Sequence, residues 1–344
     1  MRAPSQGTNT SHESPVTSHG LTTSHESPVT SHGLTTSHES PVTSHGLTYA
    51  VLVLAVAVVS SASILVRYAQ AEGTPSIVIA ALRLAFATLV LTPIAWPRVR
   101  REWPQLSRSD RWLAFGSGVA LAVHFAAWIT SLEYTSVASS AALVTTNPVW
   151  VGIASVVVLR ERVPRAVIVG ILLGLLGSLV VFGSASGKGA AAPAPALGNS
   201  LALVGALAAS AYLLIGRGLR ARVSLLTYIW IAYGAAAILL IAAAVATVPP
   251  RFAPTGTAVL LTLALALGPQ LIGHTAVNWA VRRASATVVA LAILGEPVGA
   301  ALLAWLLFGE TFSASQLIGF AMLLCGIFFA ARAPQESSAA QPAR

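Results

Sequence analysis

The chain has 344 residues, 55% of them hydrophobic and only 9% charged, with a formal net charge of +9; a soluble domain carries about 25% charged residues. Such a chain is an integral membrane protein, and its basic excess belongs to loop arginines that set topology, which excludes nucleic acid as a partner. A lone cysteine, Cys325, excludes a disulfide framework and any cysteine-cluster metal site.

Residues 10–48 are three perfect copies of TSHESPVTSHGLT and hold six of the eight histidines. A Ser, Thr, His and Pro unit with so little apolar content cannot bury a core, so residues 1–48 are expected to be a disordered low-complexity tail. It reads as a tandem duplication or an overextended start site, with a weak metal-binding or interaction role as the alternative. No signal peptide is recognisable, and the first apolar run is expected to stay as a membrane anchor.

A span needs about 20 mostly apolar residues. On that basis the fold class is all-α, an integral membrane protein of ten transmembrane helices, expected near 49–66, 75–96, 111–131, 137–159, 166–183, 199–216, 225–246, 258–280, 286–308 and 314–331. Residues 49–183 form a first five-helix repeat and 199–332 a second. An Ala, Pro and Gly-rich linker joins them at 184–198, and a disordered C-terminal tail is expected over 333–344. With the N-terminus in the cytoplasm, sixteen basic residues fall inside and three (Arg67, Lys188 and Arg251) outside, while Arg83 lies within a span. Both termini are therefore expected in the cytoplasm of a bacterial inner membrane. Trp96, Trp103 and Trp112 flank one cytoplasmic loop, as an interfacial belt would.

The stretches TNPVWVGIASVVVLRE and LGEPVGAALLAWLLFGE share a skeleton at an offset of 149: Asn147 with Glu296, Pro148 with Pro297, Glu161 with Glu310, Gly170 with Gly319, Gly177 with Gly326. An odd number of spans per half inverts the second copy, an arrangement that recurs in transporters with substrate sites near the midplane. Asn147 and Glu296 are each ten residues into their spans, about 15 Å deep. A charge at that depth costs roughly 2.5 to 3.5 kcal/mol on insertion scales, so Glu296 calls for a function. Proline at 148 and 297 removes a donor and is expected to kink its helix, freeing the carbonyls of Val144 and Ile293; such groups are tolerated only in protein or beside a wet cavity.

Arg83, in IVIAALRLAFATLVL, could pair with Glu296, anchor an anionic group of a substrate, or bond to backbone carbonyls. His124 and His274 occupy corresponding third and eighth spans with a one-residue slip. They are either satisfied interhelical hydrogen bonds or cavity lining. Gln270 and Asn278 share the His274 helix at spacings of four and so one inward face. Glu161 and Glu310 end their spans and read as interfacial, with a gate or hinge role as the alternative. Glycines at 170, 174, 177, 295 and 299 offer small faces for close helix packing.

These residues resemble the EamA-domain transporters of the drug/metabolite transporter superfamily over roughly residues 49–332. The likeness is carried by AALRLAFA around Arg83, by HFAAWITSLEYTSVASSAALVTTNPVWVGIASVVVLRERV, and by the block from GHTAVNW to LLCGI. The resemblance implies two repeats around a central cavity and the export or exchange of small metabolites, with no cofactor. The expected function is secondary transport of amino acids, related solutes or drugs by alternating access, with Glu296 as the titrating group if the cycle is proton-coupled and with energy-free facilitation and exchange as the open alternatives. Its partners would be the bilayer and a small-molecule substrate, with a homodimer left open. Alternatives are a sugar-phosphate or nucleotide-sugar exchanger, which would want more basic residues in the cavity than Arg83, and a non-transporting sensor or assembly protein. No zinc-protease motif, nucleophile elbow or phosphate-binding loop occurs, so an enzyme is not expected.

Overall fold

A computed structural model describes residues 41–157, 164–184, 193–219, 222–276 and 295–331. The order is α1 (Pro41–Ser60), α2 (Ala62–Ala71), α3 (Ser76–Glu102), α4 (Arg108–Tyr134), α5 (Val137–Val144), α6 (Asn147–Val157), α7 (Arg165–Ser184), α8 (Pro195–Leu219), α9 (Leu225–Thr247), α10 (Gly256–Leu265), a π-type segment (Ala266–Gly273), α11 (Gly295–Phe308) and α12 (Ala314–Ala331). No strand occurs among the described residues. Helices are the expected outcome, because hydrocarbon offers no partner to a backbone N–H or carbonyl.

Each of the ten expected spans overlaps a described helix. Seven are long and apolar enough to cross a membrane, and three shorter apolar helices (Ile168–Ser184, Gly295–Phe308 and Ala314–Gly326) stand at the fifth, ninth and tenth positions. The first helix starts at Pro41, inside the third tail copy and ahead of the expected boundary; proline suits a first helical position because its missing N–H would have no partner there. Large apolar side chains such as Val53, Leu89, Ile238 and Val245 point outward. Among the described residues the main core runs through α2, α3, α4 and α9, and a smaller one joins Leu143, Val181, Ala202 and Leu323. Helix starts are set by Ser107, Ser136, Ser224 and Thr255, whose hydroxyls accept from the backbone N–H three residues on.

The packing repeats itself between the halves. α4 lies along α8, and its counterpart α10 with the π segment lies along α1 and α2. α3 packs on its own counterpart α9, α5 on α11, and α7 on α12. The last pair shows the two-fold relation in detail. A Cβ on Gly177 would lie 2.8 Å from the Gly319 carbonyl oxygen, and one on Gly326 2.7 Å from that of Gly170. Since Gly170 corresponds to Gly319 and Gly177 to Gly326, each contact is the image of the other, as two antiparallel copies require.

Gly177→Ala is expected to lower the thermal midpoint in detergent, equivalent to about 1 to 3 kcal/mol of overpacking. Gly183→Ala, where an added Cβ meets nothing within 4 Å, should stay within about 0.5 kcal/mol of the parent; the check is side-by-side thermal unfolding.

Candidate functional site

The fourth span is interrupted, not merely kinked. α5 stops at Val144 and α6 restarts at Asn147, with Pro148 in its first turn. Proline cannot donate to the preceding turn, while the Ala141 and Leu143 carbonyls keep their backbone donors, Thr145 N (3.1 Å) and Thr146 N (3.3 Å). Thr145 Oγ1 donates to Ala141 O (2.8 Å) and Thr146 Oγ1 to Leu143 O (2.7 Å). With its amide nitrogen turned toward the carbonyls, Asn147 donates to Val144 O at 3.1 Å and to Ala206 O of α8 at 2.9 Å. The carbonyl that Pro148 was expected to free is thus held by the residue just before it. In the ninth span Pro297 also lies in the first described turn, of α11; Ile293 is outside the described residues.

Arg83 of α3 is only 1% exposed. Its Nε and Nη2 both donate to Gln270 Oε1, at 3.0 and 2.7 Å, which ties the first repeat to the second. The guanidinium carbon sits 4.2 Å from the centre of the Phe125 ring and 5.5 Å from that of Trp128, near enough for cation–π attraction. Tyr233 of α9, His274 and Glu296 are all within electrostatic reach of the Arg83 charge. Neither Glu296 nor a backbone carbonyl supplies the hydrogen bonds of Arg83 among the described residues: the acceptor is a neutral side-chain amide, and no carboxylate there forms an ion pair with it. Nη1 is buried and has no hydrogen-bond partner.

Gln270 is placed by the π segment. Here the backbone N–H of His274 bonds to Pro269 O, five residues back, and a widened turn of this kind is characteristic of functional sites. It also separates Gln270, which is buried, from His274, which is exposed, because positions four apart no longer stack on one face. The helix starts Ser107 and Thr255 are 148 positions apart and His124 and His274 are 150 apart; the π segment takes up the surplus. His124 is satisfied, with Nδ1 2.9 Å from Gly205 O and its ring stacked on Trp128.

Glu296 is half-buried at the start of α11, and its backbone carbonyl accepts from Ser60 Oγ (3.2 Å). Among the described residues its carboxylate makes no hydrogen bond or ion pair. Glu310 is different. It is 8% exposed, and Oε1 accepts the backbone N–H of Val137 (3.0 Å), at the start of α5, where negative charge is favoured. Arg67 Nη2 stands 3.8 Å from the same oxygen, while its Nη1 donates to Leu132 O (2.5 Å). Gly309, at φ +66°, makes the turn that directs Glu310 inward. Nearby, Gln316 Nε2 of α12 donates to Ser139 Oγ (3.1 Å). Glu161 and Asn278 lie outside the described residues.

Arg83 and Gln270 are therefore joined beside the Phe125 and Trp128 rings that His124 also meets, with His274 and Glu296 within electrostatic reach of Arg83. Asn147 is engaged with helix carbonyls. The aromatic walls Phe125, Trp128 and Tyr233 were missed from sequence. Trp128 had a signal: it follows His124 by four residues, on the same helix face. Among the described residues no group of three His, Cys, Asp or Glu could hold a metal.

An all-helical chain with antiparallel duplicated halves and a buried charged cluster between them defines the class: a multi-pass membrane protein of the inverted-repeat kind. Two matches to the EamA-like transporter family, over residues 46–183 and 196–332, account for nearly all of the membrane portion. The chain belongs to that family, and it is a membrane transporter.

Among its relatives are the uncharacterized transporter YetK of Bacillus subtilis (strain 168), 27% identical over 52% of this chain and 54% of that protein, and an uncharacterized transporter of Archaeoglobus fulgidus, 27% identical over 82% of this chain and 96% of that one. The chain thus matches about half the length of the Bacillus protein. A solved structure titled only as the crystal structure of a protein superposes with a TM-score of 0.55 at 22% identity, covering 83% of this chain and 96% of that one; it speaks for the fold alone.

Asn147→Asp keeps the shape but removes both donors, setting an acceptor against Val144 O and Ala206 O. The expected loss is about 1 to 3 kcal/mol, seen as a lower thermal midpoint of the purified protein.

Proposed function

We propose that this chain is a secondary transporter of a bacterial inner membrane. It exports small metabolites (amino acids or related solutes) or drugs by alternating access, with a proton carried on Glu296. The observation that carries this reading is a carboxylate without a hydrogen bond or ion pair among the described residues, within electrostatic reach of a fully buried arginine that joins the two halves. Ionisable groups are retained at such depth chiefly along substrate and ion paths. The arginine distribution supports a cytoplasmic position for both termini, and in that orientation Glu310 and Arg67 are at the outer end.

Two helix interruptions, at Thr145–Thr146 and in the π segment, supply bending points for one half to rock against the other. In such a cycle the contact of Glu310 with Val137 and Arg67 is the outer gate. It joins α11 of one repeat to α2 and α5 of the other, so the outer end opens only when it parts.

Reconstitution into vesicles loaded with a cell metabolite extract tests the transport reading, by recording which compounds leave with and without an imposed pH gradient. Glu296→Gln is expected to abolish the dependence on the gradient; gradient-driven efflux unchanged in that variant removes Glu296 from the mechanism. For the gate, an Arg67→Cys and Glu310→Cys pair bridged by a short bis-methanethiosulfonate, which forms a disulfide to each thiol with loss of methanesulfinate, should stop efflux until reductant is added. Full flux while bridged excludes this contact from the cycle.

A further inference from the structure

We infer that the transported solute presents a carboxylate, docked against two buried N–H donors that the protein leaves unpaired, Arg83 Nη1 and Trp128 Nε1. The inference rests on the transporter reading above and names the chemical class of its substrate.

A guanidinium has five N–H donors and no acceptor. In Arg83 two nitrogens converge on one neutral oxygen, Gln270 Oε1, so its charge stays uncompensated at contact range and Nη1 unfilled. The indole N–H of Trp128 is in the same condition, in a ring centred 5.5 Å from the guanidinium carbon. Buried donors without partners are rare and costly. Both of these are donors, so what completes the cluster is an acceptor.

The remaining choice is settled by charge. An ionised carboxylate is acceptor-only and has two oxygens, one for each donor, and its single negative charge matches the single positive charge of Arg83. A hydroxyl would fill the donors and leave the charge bare. An ammonium would meet Arg83 with like charge. A phosphate dianion would bring a second negative charge toward Glu296, with no other permanent cation in the cluster among the described residues to offset it. The other titratable groups facing Arg83 are Tyr233, His124 and His274; His124 is already bonded to Gly205 O, and Gln270, not a carboxylate, occupies the contact position. Because Arg83 is 1% exposed, the anion reaches it only when the helices around it separate, which fits a site opened alternately to either side.

The experiment uses a bacterial metabolite extract in two forms, native and with its carboxyls converted to amides. Each is loaded into vesicles with and without the protein, and each is also added to the purified chain in detergent while the thermal midpoint is read. Compounds that leave through the protein are expected to carry a carboxyl, and amidation should cut their protein-dependent efflux about 100-fold or more, the scale on which a site built around a charged hydrogen bond rejects an analogue lacking it. The midpoint should rise with native extract only. Efflux of compounds without a carboxyl, or equal efflux from the amidated extract, overturns the inference. If nothing leaves while native extract alone raises the midpoint, the transporter reading falls and the carboxylate site stands; no efflux and no shift sink both. Arg83→Lys keeps the charge but loses the planar fork, and should raise the half-saturating concentration of the carried carboxylates about tenfold; an unchanged value in a variant with the parent midpoint also overturns the site.

Discussion

Inside hydrocarbon an unpaired backbone N–H or carbonyl costs several kcal/mol, and the departures from regular helix in this chain are shaped by that cost. Pro148 withholds a donor inside the fourth span, and Asn147 replaces it at the Val144 carbonyl, while the Thr145 and Thr146 hydroxyls add second donors to carbonyls already held by backbone N–H groups. The π segment relaxes the ladder without emptying it, since His274 N–H still finds Pro269 O. Irregular backbone at depth is thereby held stable, and the π segment turns Gln270 toward Arg83.

Duplication determines where these features meet. Because the second copy runs antiparallel to the first, Arg83 from one half reaches Gln270 in the other, and Glu310 at the end of α11 reaches the first N–H of α5. Both links join distant parts of the chain through charged side chains. They differ in what they leave behind. Glu310 has a helix start and Arg67 beside it, whereas Arg83 has only an amide and two aromatic faces, which is why the second cluster and not the first is suited to a ligand.

Much of this was legible in the residues. Span lengths follow from bilayer thickness, so hydropathy located the seven helices long enough to cross and the three shorter apolar ones, and the fixed offset between Asn147–Pro148 and Glu296–Pro297 exposed the inverted copies. Arg83, Gln270, His124, His274 and Glu296 stood out because an ionisable or amide side chain in an apolar run needs a reason. What the residues concealed depends on contacts between distant segments. Asn147 looked like a counterpart to Glu296, but its donors are spent on a neighbouring turn and on α8, a fact fixed by backbone geometry. Phe125, Trp128 and Tyr233 were camouflaged among other apolar side chains. The π turn was hidden because one or two extra residues in an apolar helix leave its hydropathy unchanged, and Glu310 read as interfacial because nothing local to it announces the start of α5.

The crossed glycines of α7 and α12 carry one further implication. A seam in which each half offers the same small-residue face to its image is self-complementary, the defining property of an isologous dimer interface. Two separate five-helix chains inserted in opposite senses would find the same surface, and joining them in one chain adds proximity. Fusion then releases the two copies from having to be identical, which is what allows an arginine in one half to stand without a matching arginine in the other.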